Sequence, residues 1–163
     1  LGFPIRKVVF AHNANQTVPH YFASGKWQPG PSVSTLANAM DVGDPSNFER
    51  VLNLTPQIEF LRARASAISV SDEQIRSTIA HGLADWGEIF CPHTAAAMWA
   101  RTRETSGSWV VVGTAHPAKF ESIVEPLIHQ AVPVPPDLQA LLDRPSIVKT
   151  IPANLESLRP LLA

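Results

Sequence analysis

An α/β fold carrying part of a mostly parallel open sheet with flanking helices is what the sequence predicts, and three observations predict it. Val8-Val9-Phe10-Ala11 and Trp109-Val110-Val111-Val112 are short, continuous apolar runs of the kind that form strands buried on both faces. Segments with helical spacing of apolar residues alternate with these runs, as they do in layered α/β folds. Convincing strands are few for a self-sufficient sheet, so the sheet is expected to be incomplete without residues upstream of Leu1. The opening Leu1-Gly2-Phe3-Pro4, with no initiator Met or basic leader, is expected to be the middle of a gene product.

The elements follow in order. After the first run, Thr17 is placed to cap a short helix through Tyr21 and Phe22, with Pro19 tolerated in its first turn. Gly25 to Pro31 is a loop by composition. Ser46-Asn47-Phe48-Glu49 has the capping-box spacing and predicts a helix through Val51 and Leu52. Ser71-Asp72-Glu73-Gln74 has the same spacing and predicts a longer helix, with Ile75, Ile79, Leu83 and Trp86 on one face and Gly87 at its end. The Ala-rich run from Thr94 to Arg103 is helical by propensity. Trp109 to Val112 is the strongest strand signal, ending at Gly113. Pro117 then suits a first helical position, with Phe120, Ile123, Val124 and Leu127 on one face. Two helical patterns, Leu138 to Leu142 and Leu155 to Leu162, close the chain.

Bulk properties exclude several classes of function. The 163 residues, 45% hydrophobic and 17% charged, describe a folding chain with a real core. A net charge of -1 argues against nucleic acid or an anionic membrane as partner. No apolar run approaches the roughly 20 residues of a membrane-spanning helix. The one cysteine, Cys91, cannot form an internal disulfide and fits a reducing, cytoplasmic setting. Cys91, His93 and His116 raise a nucleophile or metal site, but Cys-x-His supplies only two ligands and nothing nearby completes it.

In open parallel sheets, ligands gather beyond the carboxyl ends of the strands. Two loops qualify, His12 to Thr17 and Gly113 to Lys119, both rich in hydrogen-bonding side chains. The second, Gly113-Thr114-Ala115-His116-Pro117-Ala118-Lys119-Phe120, resembles a segment of the threonine synthases. Asn13-Ala14-Asn15 with Thr17-Val18-Pro19, Leu36-Ala37-Asn38-Ala39-Met40-Asp41-Val42, Pro45 to Arg50 and Pro92-His93-Thr94-Ala95 resemble further segments of that family, in the same order. The resemblance runs the length of the chain. It implies that residues 1–163 are the C-terminal portion of a catalytic region, a partial pyridoxal-phosphate-binding layer followed by C-terminal helices.

The resemblance further implies a fold type II pyridoxal 5′-phosphate enzyme that converts O-phospho-L-homoserine and water into L-threonine and phosphate. Thr114 is similar to the family hydroxyl that contacts the cofactor's pyridine nitrogen, and a hydroxyl there makes the ring a more moderate electron sink than a carboxylate would. His116 and Lys119 become candidates for the substrate phosphate, and Asn13 and Asn15 for the cofactor or substrate side. No lysine among Lys7, Lys26, Lys119 and Lys149 sits in a context like the family's Schiff-base motif, so the catalytic lysine is expected upstream of Leu1. This portion alone is then expected to be inactive, its partner being the missing N-terminal part of the same protein. Gln16 and His20 stand where the family has Asp and Arg. That exchange keeps open a phospho-lyase acting on a related phosphorylated amino acid, or a non-catalytic module.

Structural readings stand beside the functional ones. Thr114 could cap the helix at Pro117, Lys119 could be a solvated charge, and His93 and His116 could be loop or core histidines. Asn13 and Asn15 could be turn formers, and Asn38, Met40 and Asp41 read as packing and loop-fixing residues. The four tryptophans, Trp27, Trp86, Trp99 and Trp109, read as core or interface residues.

Overall fold

A computed structural model of the chain describes residues 4–55, 57–104 and 107–162. Among them are two strands, β1 (Val8–His12) and β2 (Ala65–Ser69), which pair in parallel with Val8 opposite Ala65 and His12 opposite Ser69. Helices α1 (Thr17–Ser24), α2 (Glu49–Leu54) and α3 (Ile58–Arg62) lie in the connection between the strands. After β2 come α4 (Asp72–Trp86), α5 (Pro92–Thr102) and α6 (Glu121–Ile128), the last entered through a 3₁₀ turn at Pro117–Phe120. The fold is α/β with parallel pairing, as the sequence predicts.

Residues Leu1–Val132 form one compact unit and Pro133–Ala163 a second. The second holds α7 (Pro136–Leu142), opened by Pro136 in its first turn, and α8 (Leu155–Leu158), capped by Asn154 Oδ1, which accepts from Ser157 N at 2.9 Å. Both agree with the helical patterns at the end of the sequence.

The first unit has two packing centres. Val18 and Tyr21 of α1, Phe48, Leu61 of α3 and Ala65 of β2 are buried together, with Phe10, Phe22 and Trp27 packed against them. Trp27 stacks on Phe48 at 5.4 Å between ring centres, with planes within 5° of parallel. In the second centre, α4 packs on α5 and α6, and Ile75, Ile79, Ala95, Ala96 and Val124 are fully buried. The stripe stops there, since Leu83 and Trp86 are 42% and 46% exposed.

Helix ends follow local chemistry unevenly. Before α4 the capping box forms in full: Ser71 Oγ accepts from Gln74 N at 3.3 Å while Gln74 Oε1 accepts from Ser71 N at 2.9 Å. Gly87 ends that helix at φ 73°, a left-handed conformation in which its N–H reaches the Leu83 carbonyl. The other capping box does not form. Ser46–Phe48 is a 3₁₀ turn, and the Glu49 N–H donates to the Ser46 carbonyl instead of the hydroxyl. Thr17 does not cap α1 either; its hydroxyl donates to the Gly43 carbonyl at 2.6 Å, drawing the distant loop onto the helix start.

Two strand expectations are corrected, and one unexpected strand appears. Trp109–Val112 forms no strand; a strand is defined by its ladder, and the described ladder is that of β1 with β2. Val110 and Val112 are 90% and 72% exposed. β1 is half-buried, not buried on both faces, with Val8 exposed at its start. β2, with the small alternating sequence Ala65-Ser66-Ala67-Ile68-Ser69, is the strand that the apolar runs do not announce.

Candidate functional site

Parallel pairing sends both chains out of the sheet at the same edge, so the residues after β1 and β2 share the carboxyl end. There the chain after β1 meets the loop 33–43. Asn13, 1% exposed, donates from Nδ2 to Thr35 Oγ1 at 2.8 Å and Asp41 Oδ1 at 2.8 Å, and to the Ala37 carbonyl at 3.2 Å. Its Oδ1 accepts from the backbone N–H of Asn15 at 2.9 Å and from Asn15 Nδ2 at 3.0 Å. Asn15 is tied to Val33 twice, donating to its carbonyl and accepting from its N–H, each at 2.8 Å.

Asp41 is the convergence point of this network. Its Oδ1 accepts from Thr35 Oγ1 at 2.7 Å and from the two asparagine amides, and its Oδ2 accepts from Thr35 N at 3.0 Å. A carboxylate serving so many neutral donors makes charge-assisted bonds, stronger than neutral pairs. The loop-fixing reading of Asp41 therefore describes what it does. Thr35 is the participant that sequence reasoning missed; a lone Thr in a Ser- and Pro-rich loop gives no local signal. From the β2 side, Ser69 Oγ donates to the Asn13 carbonyl and Asp72 Oδ1 accepts from Leu36 N, so the first turn of α4 also holds this loop.

His12, the last residue of β1, is partly buried, and burial lowers its pKa to about 4, because desolvation penalises the charged ring.

The second loop reaches the same region through His93. This residue is in the first turn of α5 and is 9% exposed. Its Nε2 accepts from the Ala39 N–H at 3.0 Å, and its ring sits 5.1 Å from that of Phe120 at 54°. Burial lowers its pKa first of all; the Asp41 carboxylate pulls in the opposite direction, and the Lys119 ammonium adds to the lowering. Gly113 passes close to α5, where Thr94 Oγ1 lies 3.7 Å from the position a Cβ at Gly113 would take.

Within Gly113–Phe120, Thr114 is exposed. The cap of the following turn is not Thr114 but His116, whose Nδ1 accepts from Ala118 N at 3.2 Å. A ring accepting at Nδ1 carries its hydrogen at Nε2, which leaves Nε2 as a donor. Lys119 is exposed in the same turn, one residue from Phe120. His93 therefore links the loop 33–43, which holds the residues after β1, to the turn at Pro117–Phe120, though it was itself read as structural. Its signal was available in Pro92-His93-Thr94, a polar ring in the first turn of a helix that is otherwise apolar where it is buried.

On the far side of Asn15 lies a shallow cavity of about 270 Å³, lined among others by Gln16, Thr17, His20, Gln28 and Val33. His20 Nε2 is 3.2 Å from Gln28 Oε1. Among the described residues no cluster of three or more His, Cys, Asp or Glu could hold a metal ion, and no helix is long and apolar enough to cross a membrane.

Comparison with known proteins bears on this geometry. The family model described as "Threonine synthase, C-terminal" matches residues 92–161. The threonine synthase of Serratia marcescens is 40% identical over 164 residues, and that of Escherichia coli 34% identical over 164. In each case the alignment covers 99% of this chain. This chain matches the C-terminal portion of the threonine synthases. It spans 38% of the length of those two relatives. The crystal structure of the Escherichia coli threonine synthase superposes with a TM-score of 0.85, over 99% of this chain and 38% of that one. A pyridoxal-phosphate-bound threonine synthase from Brucella melitensis, 24% identical, shares the fold with a TM-score of 0.83 over 99% of this chain and 40% of its own.

Proposed function

We propose that this chain forms one wall of the active site of a pyridoxal-phosphate-dependent threonine synthase, which converts O-phospho-L-homoserine and water to L-threonine and phosphate. The observation that carries the reading is the match of 99% of this chain to threonine synthases, with the loop 33–43 and the turn at Pro117–Phe120 linked through His93.

The side chains fit the cofactor in one respect and not in another. An exposed Thr114 hydroxyl suits the pyridine nitrogen of the ring. The described lysines do not suit covalent attachment: Lys7 is paired with Glu104 at 2.8 Å, and Lys26, Lys119 and Lys149 are exposed. The tethering lysine and most contacts to the cofactor phosphate then come from the N-terminal part of the same protein, and this portion alone is inactive. When bound, the cofactor supplies an electron sink for carbanion chemistry at the amino acid.

The roles of this chain's residues follow from their hydrogen-bonding states. Thr114 would hold the cofactor's pyridine nitrogen, and its hydroxyl would moderate the ring's pull on electrons. His116, with Nδ1 committed to Ala118, offers its Nε2 hydrogen to a phosphate oxygen, and Lys119 adds a positive charge. Asn13 and Asn15 act on the substrate side through the loop 33–43, since their amides are engaged in holding it. A soluble, cytoplasmic setting belongs to the same reading.

A second reading draws on His20 and Gln16 beside the shallow cavity, where the family has Arg and Asp. If that edge meets the substrate phosphate, the missing guanidinium would shift substrate choice toward a lyase on a related phosphorylated amino acid. A product assay on the whole protein separates the readings. Phosphate and threonine formed together are expected. Phosphate with a keto acid would support the lyase, and no turnover a non-catalytic module.

A further inference from the structure

We propose that His93 is a positioning residue: its neutral ring holds the turn at Asn38–Met40 and the turn at Pro117–Phe120 in fixed relation. The catalytic side of this statement rests on the function proposed above; the structural side does not.

The geometry constrains the ring tightly. Accepting from the Ala39 N–H at 3.0 Å requires a lone pair on Nε2, so the single ring hydrogen belongs on Nδ1. Nδ1 is buried and meets no hydrogen-bond partner among the described residues. A buried donor without an acceptor calls for an explanation. A phenyl ring here would pack against Phe120 in the same tilted contact and leave no such donor, but it would strip the Ala39 N–H of its acceptor. Histidine supplies both the ring that packs against Phe120 and the acceptor for Ala39.

The links on either side of the ring extend to the candidate residues. Ala39 lies two residues from Asp41, which gathers Asn13, Asn15 and Thr35 at the end of β1. Phe120 is the last residue of the turn that carries Lys119 and follows Thr114 and His116. The charged groups acting on the ring are Asp41 from the loop and Lys119 from the turn, with opposite effects. A second proton would sit on Nε2 and face the Ala39 N–H, donor against donor, with Nδ1 still lacking an acceptor. Burial resists that proton, which keeps the ring neutral as pH falls below the usual 6.5. Far enough into acid the link breaks.

The test uses the whole protein as wild type, His93→Gln and His93→Phe. The Gln carboxamide oxygen can accept from Ala39 where Nε2 does, and it does not titrate. Amide hydrogen exchange at Ala39 and the pH dependence of KM and kcat are read together. In the wild type, Ala39 is expected to lose about tenfold in protection across the acid titration, with KM rising while kcat changes less. His93→Gln should keep Ala39 protected and KM flat over the same range. His93→Phe should lack the protection at every pH; if it does not fold, the other two forms still decide. Protection at Ala39 that is independent of pH in the wild type, or intact in His93→Phe, would overturn the proposal, as would an Ala39 titration that KM ignores. A protein that makes no threonine in any form would refute the functional reading, while Ala39 exchange would still judge the link.

Discussion

The loop after β1 and the loop after Trp109–Val112 begin from the same kind of sequence, an apolar run breaking into polar residues. They end in different states. Val8–His12 finds β2, and the residues after it lock into a buried polar network centred on Asp41. Trp109–Val112 finds no ladder among the described residues, and the Thr114 that follows is exposed. Local sequence sets the tendency to extend, but completion depends on a non-local partner. One loop is finished by this chain's own donors and acceptors; the other is anchored through His116 and Phe120 but leaves Thr114 and Lys119 exposed.

That contrast predicts its own largest effect. Asp41→Ala removes both acceptors of Thr35, at its N–H and its hydroxyl, and one acceptor of each asparagine amide, at a part-buried site where each loss is costly. A loss of about 3 kcal/mol in unfolding free energy is expected, read from the urea midpoint at unchanged slope. A loss under about 1 kcal/mol would mean water replaces the carboxylate easily, and the first loop is no more closed than the second.

His12 gives an intermediate effect with a defined sign. Its folded-state pKa is about 4 against an ordinary 6.5, so the unfolded chain takes up a proton first as pH falls. Stability contributed by the neutral ring is therefore present above 6.5, lost progressively between 6.5 and about 4, and level below that. Allowing for partial exposure, the loss should be about 2 kcal/mol. Carboxylates titrate in the same range, so the quantity to measure is the difference between the wild type and His12→Asn. If the two stability curves run parallel from neutral pH to about pH 4, the end of β1 is open to water and not sealed as the network implies.

What the sequence made legible follows the same division. The capping box at Ser71 and the stop at Gly87 are local devices, and both form. The box at Ser46 has identical spacing but yields to a 3₁₀ turn, and Thr17 is drawn away from capping by Gly43, 26 positions along the chain. β2 escaped notice because Ala and Ser alternate without bulk, and what makes it a strand is its register with β1. Of the candidate site, the two loops and the loop-fixing role of Asp41 could be read from residue types. Thr35 could not, because it depends on partners more than five positions away, Asp41 and Asn13; His93 was marked by its residue type and place, but its partner Ala39, 54 positions away, was not.

The smallest stability effect carries the sharpest contrast. Thr114 is exposed, and the cap it might have supplied belongs to His116, so Thr114→Ala should change unfolding free energy by less than about 0.5 kcal/mol. In the proposed function the same hydroxyl touches the cofactor's pyridine nitrogen. Losing one such hydrogen bond should lower turnover of the whole protein by about tenfold and weaken retention of the cofactor on dialysis. A residue indifferent to folding but costly to catalysis is what an outward-facing site wall requires. Asp41, in the finished loop, should show the opposite order of magnitudes. If Thr114→Ala leaves both turnover and cofactor retention unchanged, the exposed loop does not face the ring, and the distinction between the two loops is one of packing alone.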